Sequence, residues 1–188
     1  MWPARFLRSL GPVAMAALLT ACASDSPSGG TFQPTGRYGG EAAPTGPSAP
    51  PGPGTLPVSQ VEAQVLARYR EYHKAYKNAY ETGDPSSLTT VAMDPLLTSV
   101  TKDVERTHAK GEIWRFTNVL NPRVKGRSKD NSLVIVIDCV RTLGTHRFST
   151  RTGKRLGSYP GGTNIQESLM KYAGGTWTIS DTKLGKRC

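Results

Sequence analysis

The chain has 188 residues, of which 37% are hydrophobic, a length that suits one ordinary domain with additional sequence that does not pack. Its 24 Lys and Arg against 14 Asp and Glu give a formal charge of +10, enough to attract anionic surfaces but spread too thinly for a polybasic tail. Three cysteines exclude a four-cysteine zinc site and a six-cysteine disulfide scaffold.

Residues 1–21 read as a secretory signal. Arg5 and Arg8 precede an apolar stretch from Leu10 to Leu19, interrupted only by Gly11 and Pro12, and small residues follow. The stretch is about half of the roughly 20 residues that a membrane-spanning helix needs. At its end, Leu19-Thr20-Ala21-Cys22 resembles the bacterial lipobox, which implies cleavage before Cys22 and acylation of its thiol. Each buried CH2 of an acyl chain contributes ~0.8 kcal/mol, so two or three chains hold a soluble domain to a bilayer. The expected location is the extracytoplasmic face of a cell membrane.

Residues 22–57 follow as a tether. Between Ala23 and Pro57 there are eight Gly and eight Pro, a composition that cannot bury enough apolar surface to offset the entropy of ordering. Disorder is therefore expected, with an r.m.s. span of roughly 35 Å.

Residues 58–188 are the folded domain. Val58, Val61, Val65, Tyr69, Tyr72, Tyr76 and Tyr80 recur at helical spacing on one stripe. Ser59 and Glu62 match a capping box, and Gly83-Asp84-Pro85 ends the helix. A second helix is expected from about Asp94 to Lys110, with Leu96, Leu97, Val100, Val104 and His108 on one face, Pro95 in its first turn and Gly111 beyond its end. From Glu112 the period changes to two. Strands are expected over Ile113–Val124, Leu133–Phe148, Thr163–Tyr172 and Thr176–Leu184, joined by turn sequences short enough to make the sheet antiparallel. Both alternation sets of Leu133 to Val140 are apolar apart from Asp138, which predicts a strand covered at least partly on both faces. In the last strand Trp177 and Ile179 are expected inward, with Thr176, Thr178 and Ser180 outward.

Helices followed by long antiparallel strands define an α+β order in which the helices cover one face of a curved sheet. The helix ending at Gly83, the Leu133 to Val140 strand with Asp138-Cys139, the Gly174-Gly175 hairpin and the Trp177-x-Ile179 strand together resemble the cone-shaped nuclear transport factor 2-like fold. More narrowly, the chain is similar to actinobacterial lipoproteins that carry such a domain behind a Pro- and Gly-rich tether. That fold hosts isomerases, cyclases, dehydratases and members with no chemistry, so the resemblance leaves activity open.

Motifs for chemistry are sparse. His73, His108 and His146 lack metal-ligand spacing, and neither a phosphate-binding glycine loop nor a nucleophile elbow occurs; no metal or cofactor is expected. Enzymes of the resembling fold keep an Asp or His with tyrosines inside the cone. By strand parity and helix phase, Tyr72, Tyr76, Trp114, Asp138 and Trp177 are the candidate lining of such an interior, with His73 nearby. Asp138 is either a general base there or a structural carboxylate, paired with a Lys or Arg such as Arg141 or set at the cone's edge. The expectation is a non-enzymatic, lipid-anchored envelope domain that binds a partner or a small apolar ligand. The alternative is a small-molecule isomerase or hydratase using Asp138.

Two further expectations concern cysteine and charge. With Cys22 acylated, Cys139 and Cys188 remain in an oxidising compartment and should form a disulfide; closing a loop of about 50 residues constrains the unfolded chain by roughly 4 kcal/mol. From residue 58 onward, 21 Lys and Arg face 12 Asp and Glu. Arg123, Lys125 and Arg127 cluster about one hairpin, and Arg151, Lys154 and Arg155 about the next. Outside the cytoplasm nucleic acid is not an expected partner, so these clusters point to anionic lipid, wall polymer or an acidic envelope protein.

Overall fold

The computed structural model describes residues 51–188; the expected signal, Cys22 and the expected tether up to residue 50 lie outside them. The last part of the expected tether is not loose. Pro53–Thr55 forms a 3-10 turn with Pro53 buried, and the Pro53 carbonyl accepts a bond from Asn131 Nδ2 at 3.3 Å.

Helix α1 spans Val58–Thr82 and buries Val61, Val65, Tyr69, Tyr72 and Tyr80 on the expected stripe. The capping box does not form. The helix starts at Val58, with Pro57 as its N-cap and no side-chain cap, so Ser59 already lies inside the first turn. Glu62 instead accepts a bond from Arg127 at 3.1 Å. Gly83 ends the helix at φ 76°, its N–H bonded to the Ala79 carbonyl. A β-carbon there would meet the His108 ring at 2.3 Å, so both backbone angle and space demand glycine.

Helix α2 spans Leu96–Ala109 and buries Leu96, Val100 and Val104. Asp94 Oδ1 accepts the Thr98 backbone N–H at 3.1 Å, capping one of the orphan donors of the first turn. His108 does not join the buried face; it is exposed and lies over Gly83.

The sheet is antiparallel and five-stranded: β1 (Glu112–Val119), β2 (Arg123–Arg127), β3 (Leu133–Ser149), β4 (Arg155–Ala173) and β5 (Thr176–Leu184). Its order is β1-β3-β4-β5, with β2 also paired to β3. The α+β class is as expected, but the first expected strand is two. Pro122 cannot donate to a ladder, and the chain breaks there. The break is held by Asp138, whose Oδ1 accepts the Asn121 N–H at 2.8 Å. At the other end of the sheet β4 begins eight residues before the expected Thr163, because pairing with β3 carries it through a stretch of poor strand formers. Within that stretch a β-carbon on Gly161 would lie 2.2 Å from the Thr142 carbonyl oxygen, which only glycine avoids.

Two irregularities redirect side chains. A register shift between Phe116 and Asn118 in the β1–β3 ladder changes which parity faces the helices. A second, opposite Leu169 and Met170, leaves Ile179 and Ser180 both buried. Ser180 is therefore not outward as expected, and its Oγ donates to the Leu169 carbonyl at 3.2 Å.

The core lies between the helices and one face of the sheet. Val61, Val65, Val104, Val134, Val136, Met170 and Ile179 are all buried there. The opposite face is covered only in part: Ile137 and Cys139 are half-buried, while Leu133 and Ile135 are 41% and 39% exposed, because both helices pack on the other side. At the free edge of β5, Ile179 N–H bonds the Val91 carbonyl and the Met93 N–H bonds the Ile179 carbonyl. Cys139 and Cys188 are joined as a disulfide, with Cα atoms 6.0 Å apart. The tail before Cys188 is zipped to Ile165 by backbone bonds from and to Gly185 and Lys186.

Candidate functional site

A cavity of about 420 Å3 opens between α1, α2 and the inner face of β3, β4 and β5. Helix α1 supplies Tyr72, His73, Tyr76 and Tyr80, and α2 supplies Val100 and Asp103 from its packed face. The tyrosines follow the four-residue spacing of the helix, which stacks them along one wall: ring centroids are 5.9 Å apart for Tyr72 and Tyr76 and 4.9 Å for Tyr76 and Tyr80. Val140, Thr142, Asn164 and Gln166 form the sheet side. Two hollows of similar volume, about 460 Å3 each, flank Arg68. Charged side chains of α1, Glu71 among them, line both, and Tyr172 and Trp177 line the second; the cavity is distinguished by the row of α1 tyrosines along its wall.

Burial dominates the electrostatics. It pushes the Tyr72 hydroxyl well above the ordinary phenol range, with Tyr76 adding to the effect, and it also raises Tyr76. Tyr80 is raised by burial and then by Tyr76 and Asp103; its hydroxyl donates to Asp103 Oδ2. His73 is held down to about 4 by burial, so its ring is neutral at physiological pH. Neither His73 nitrogen has a partner among the described residues.

Beside His73 lies a buried polar group set. Tyr69 packs against the His73 ring at 4.6 Å, and its hydroxyl is raised by burial and then by the Asp138 carboxylate. The Tyr69 hydroxyl and Asp138 Oδ2 lack hydrogen-bond partners among the described residues. Each buried polar atom left unpaired costs ~1–3 kcal/mol.

Of the five residues expected to line the interior, Tyr72 and Tyr76 do so; Trp114, Asp138 and Trp177 do not. Trp114 sits farther along the sheet, 6.0 Å from the Tyr80 ring and 6.3 Å from that of Tyr159. Trp177 is buried toward the other end of β5, packed on Tyr172 at 5.4 Å. Thr182 on the cavity wall lies five positions farther along the strand, about 16 Å of extended chain. Asp138 is fully buried and anchors the β1–β2 break; it does not pair with Arg141, which is exposed and has the opposite strand parity. Tyr80, His73 and Asp103 complete the wall. Tyr80 and His73 were visible on the first helix, and Asp103 lies three residues from Val100 on the second, a spacing that puts both on one side.

The basic clusters are exposed but not uniformly free. Lys125 pairs with Glu167 and Arg127 with Glu62, whereas Arg151, Lys154 and Arg155 stand at the exposed β3–β4 hairpin end. Among the described residues no group of three or more His, Cys, Asp or Glu is placed to hold a metal, and no helix is long and apolar enough to cross a membrane.

No family model matches the chain, and no curated protein matches it. Among solved structures, the intermembrane space region of the chloroplast protein ARC6 is similar at a TM-score of 0.55 and 13% identity, over 65% of this chain and 95% of that one. Kfla4162 from Kribbella flavida aligns at a TM-score of 0.47 and 12% identity, over 65% and 90% of the two chains. A protein of the NTF2-like family from Streptomyces avermitilis aligns at 0.41 and 12%, over 64% and 95%. These likenesses concern the fold: two helices on a five-stranded antiparallel sheet, with NTF2-like proteins among its structural neighbours.

Proposed function

We propose that this chain is a lipid-anchored protein of the cell envelope whose extracytoplasmic domain binds a small molecule in the cavity between α1, α2 and the sheet. The cavity carries the reading: its volume of about 420 Å3 falls in the ordinary range for small-ligand sites, and its wall combines aromatic surface with a few polar groups that can fix orientation. The Leu19 to Cys22 sequence supports the anchor. The Cys139–Cys188 bond fits an oxidising compartment. The exposed Arg151, Lys154 and Arg155 would meet anionic lipid or wall polymer when the tether brings the domain close, each contributing ~1 kcal/mol near such a surface.

Two measurements test the two halves. Cys22→Ala should move the full chain from the detergent phase to the aqueous phase; unchanged partitioning would remove the anchor. For the cavity, Ser99 is an exposed lining residue, so Ser99→Trp should narrow the mouth without disturbing the core. Fragment binding that shifts resonances of Tyr72 and Tyr76 in the wild type and is lost in Ser99→Trp is the expected result. Binding unaffected by Ser99→Trp would place the ligand elsewhere.

A further inference from the structure

The cavity has the opposite electrostatic character to the molecule that surrounds it. From residue 58 onward the chain holds 21 Lys and Arg against 12 Asp and Glu. Among the described residues lining the cavity, none is Lys or Arg, and the single carboxylate is Asp103. The remaining titratable groups of the wall are His73 and three tyrosines. His73 is 9% exposed, with both ring nitrogens unpartnered and its pKa held near 4, which makes it a neutral group with an open acceptor. The tyrosines are kept protonated, so they offer ring faces and hydroxyls without charge.

Each of the main ligand classes meets this wall differently. An anion would approach Asp103 with no cation in the lining to offset the repulsion. A neutral apolar molecule would take water from Asp103 and His73 and return no hydrogen bond, which is costly for buried polar groups. A cation gains on every count. It is attracted to aromatic faces within about 6 Å of a ring centroid, it has Asp103 as a counter-charge, and a protonated amine can also donate an N–H to His73. Asp103 retains capacity for this: Oδ2 accepts the Tyr80 hydroxyl and Oδ1 accepts Arg106 at 3.2 Å, but each carboxylate oxygen has a second lone pair. Arg106 is itself 63% exposed and is not part of the lining.

Resting on the ligand-binding reading above, we infer that the cavity selects a small organic cation, an amine or quaternary ammonium compound held between the Tyr72, Tyr76 and Tyr80 rings and the Asp103 carboxylate. Asp103 then sets the charge preference, while the tyrosines set size.

The test is calorimetric titration of the full chain in detergent with three matched sets of probes. Choline and benzylamine are the cations, 3,3-dimethylbutan-1-ol and benzyl alcohol their neutral counterparts, and 3,3-dimethylbutanoate and benzoate their anionic ones. At least tenfold tighter binding of a cation than of its neutral counterpart is expected, with the preference falling at least fivefold in Asp103→Asn, an isosteric change at a half-exposed position. Neutral or anionic probes binding as tightly as the cations, and losing that binding in Ser99→Trp, would overturn the cation inference while leaving the ligand site in place. A cation preference that survives Asp103→Asn would also overturn it. No binding by any of the six would overturn both.

Discussion

The two faces of the β3–β4 ladder use similar residues to opposite ends. On the inner side Val134, Val136 and Met170 are fully buried, and Gln166 and Val140 continue the same face to the cavity. On the outer side Leu133 and Ile135 remain two-fifths exposed, beside the Lys125–Glu167 ion pair and the Cys139–Cys188 bond. Residue type does not distinguish the faces; helix coverage does. A valine or leucine becomes core only where another element excludes water from it, and here both helices lie on one side.

This comparison can be broken most strongly through the cross-link. Replacing Cys139 and Cys188 together by Ala removes the outer face's covalent hold on a loop with a sequence separation of 49. A loss of about 4 kcal/mol is expected from loop entropy, measured by urea unfolding; a loss under about 1 kcal/mol would mean that the zipped tail holds itself. Met170→Ala, on the inner face, should cost about 3 kcal/mol through lost burial and a cavity. Ile135→Ala, on the outer face, should cost under about 1 kcal/mol, and equal costs would erase the distinction between the faces.

Acidification sharpens the comparison at the cavity wall. His73 has a pKa near 4 in the folded chain against ~6.5 when unfolded, so the unfolded chain binds the extra proton first. The stability that neutral His73 contributes is present above pH ~6.5 and is lost as pH falls toward 4, a change on the order of 3 kcal/mol. His73→Phe should flatten the melting temperature over that window; an unchanged slope would assign it to other groups. The smallest effect is expected from Lys125→Ala. Its exposed outer-face pair with Glu167 should be worth under about 1 kcal/mol, measured in the same urea titration.

The elements that were legible in the sequence are those in which local pattern and tertiary packing agree. The tyrosine stripe of α1 and the Gly83 stop needed no long-range information, and the disulfide followed from having two cysteines left after Cys22. Pro122 was equally visible, but breaking β1 from β2 required knowing that Asp138 would receive the freed Asn121 amide 17 residues earlier in the chain. The first eight residues of β4 contain Gly157, Pro160, Gly161 and Gly162, which locally read as loop. At the cavity, Tyr72 and Tyr76 share one wall, as helix phase places them, because a helix preserves its period. Parity put Trp114 and Trp177 on the right face, but parity carries no information about position along the strand, and both lie away from the opening. Asp103 went unnoticed because a lone acidic residue on an amphipathic helix has no distinguishing pattern until the facing Tyr80 hydroxyl is in place.

The short bridge between Val91–Met93 and Ile179 has a consequence for the company this protein keeps. A sheet normally ends in backbone groups ready to recruit a strand from another molecule. On the β5 side the groups of Ile179 are already taken by its own chain. On the other side the border is divided between two short strands, interrupted by Pro122 and studded with Arg115, Arg123, Lys125 and Arg127. Neither border offers a long, flat, uncharged run for intermolecular ladder growth, so copies of this domain crowded together at high concentration would resist polymerising through their sheets.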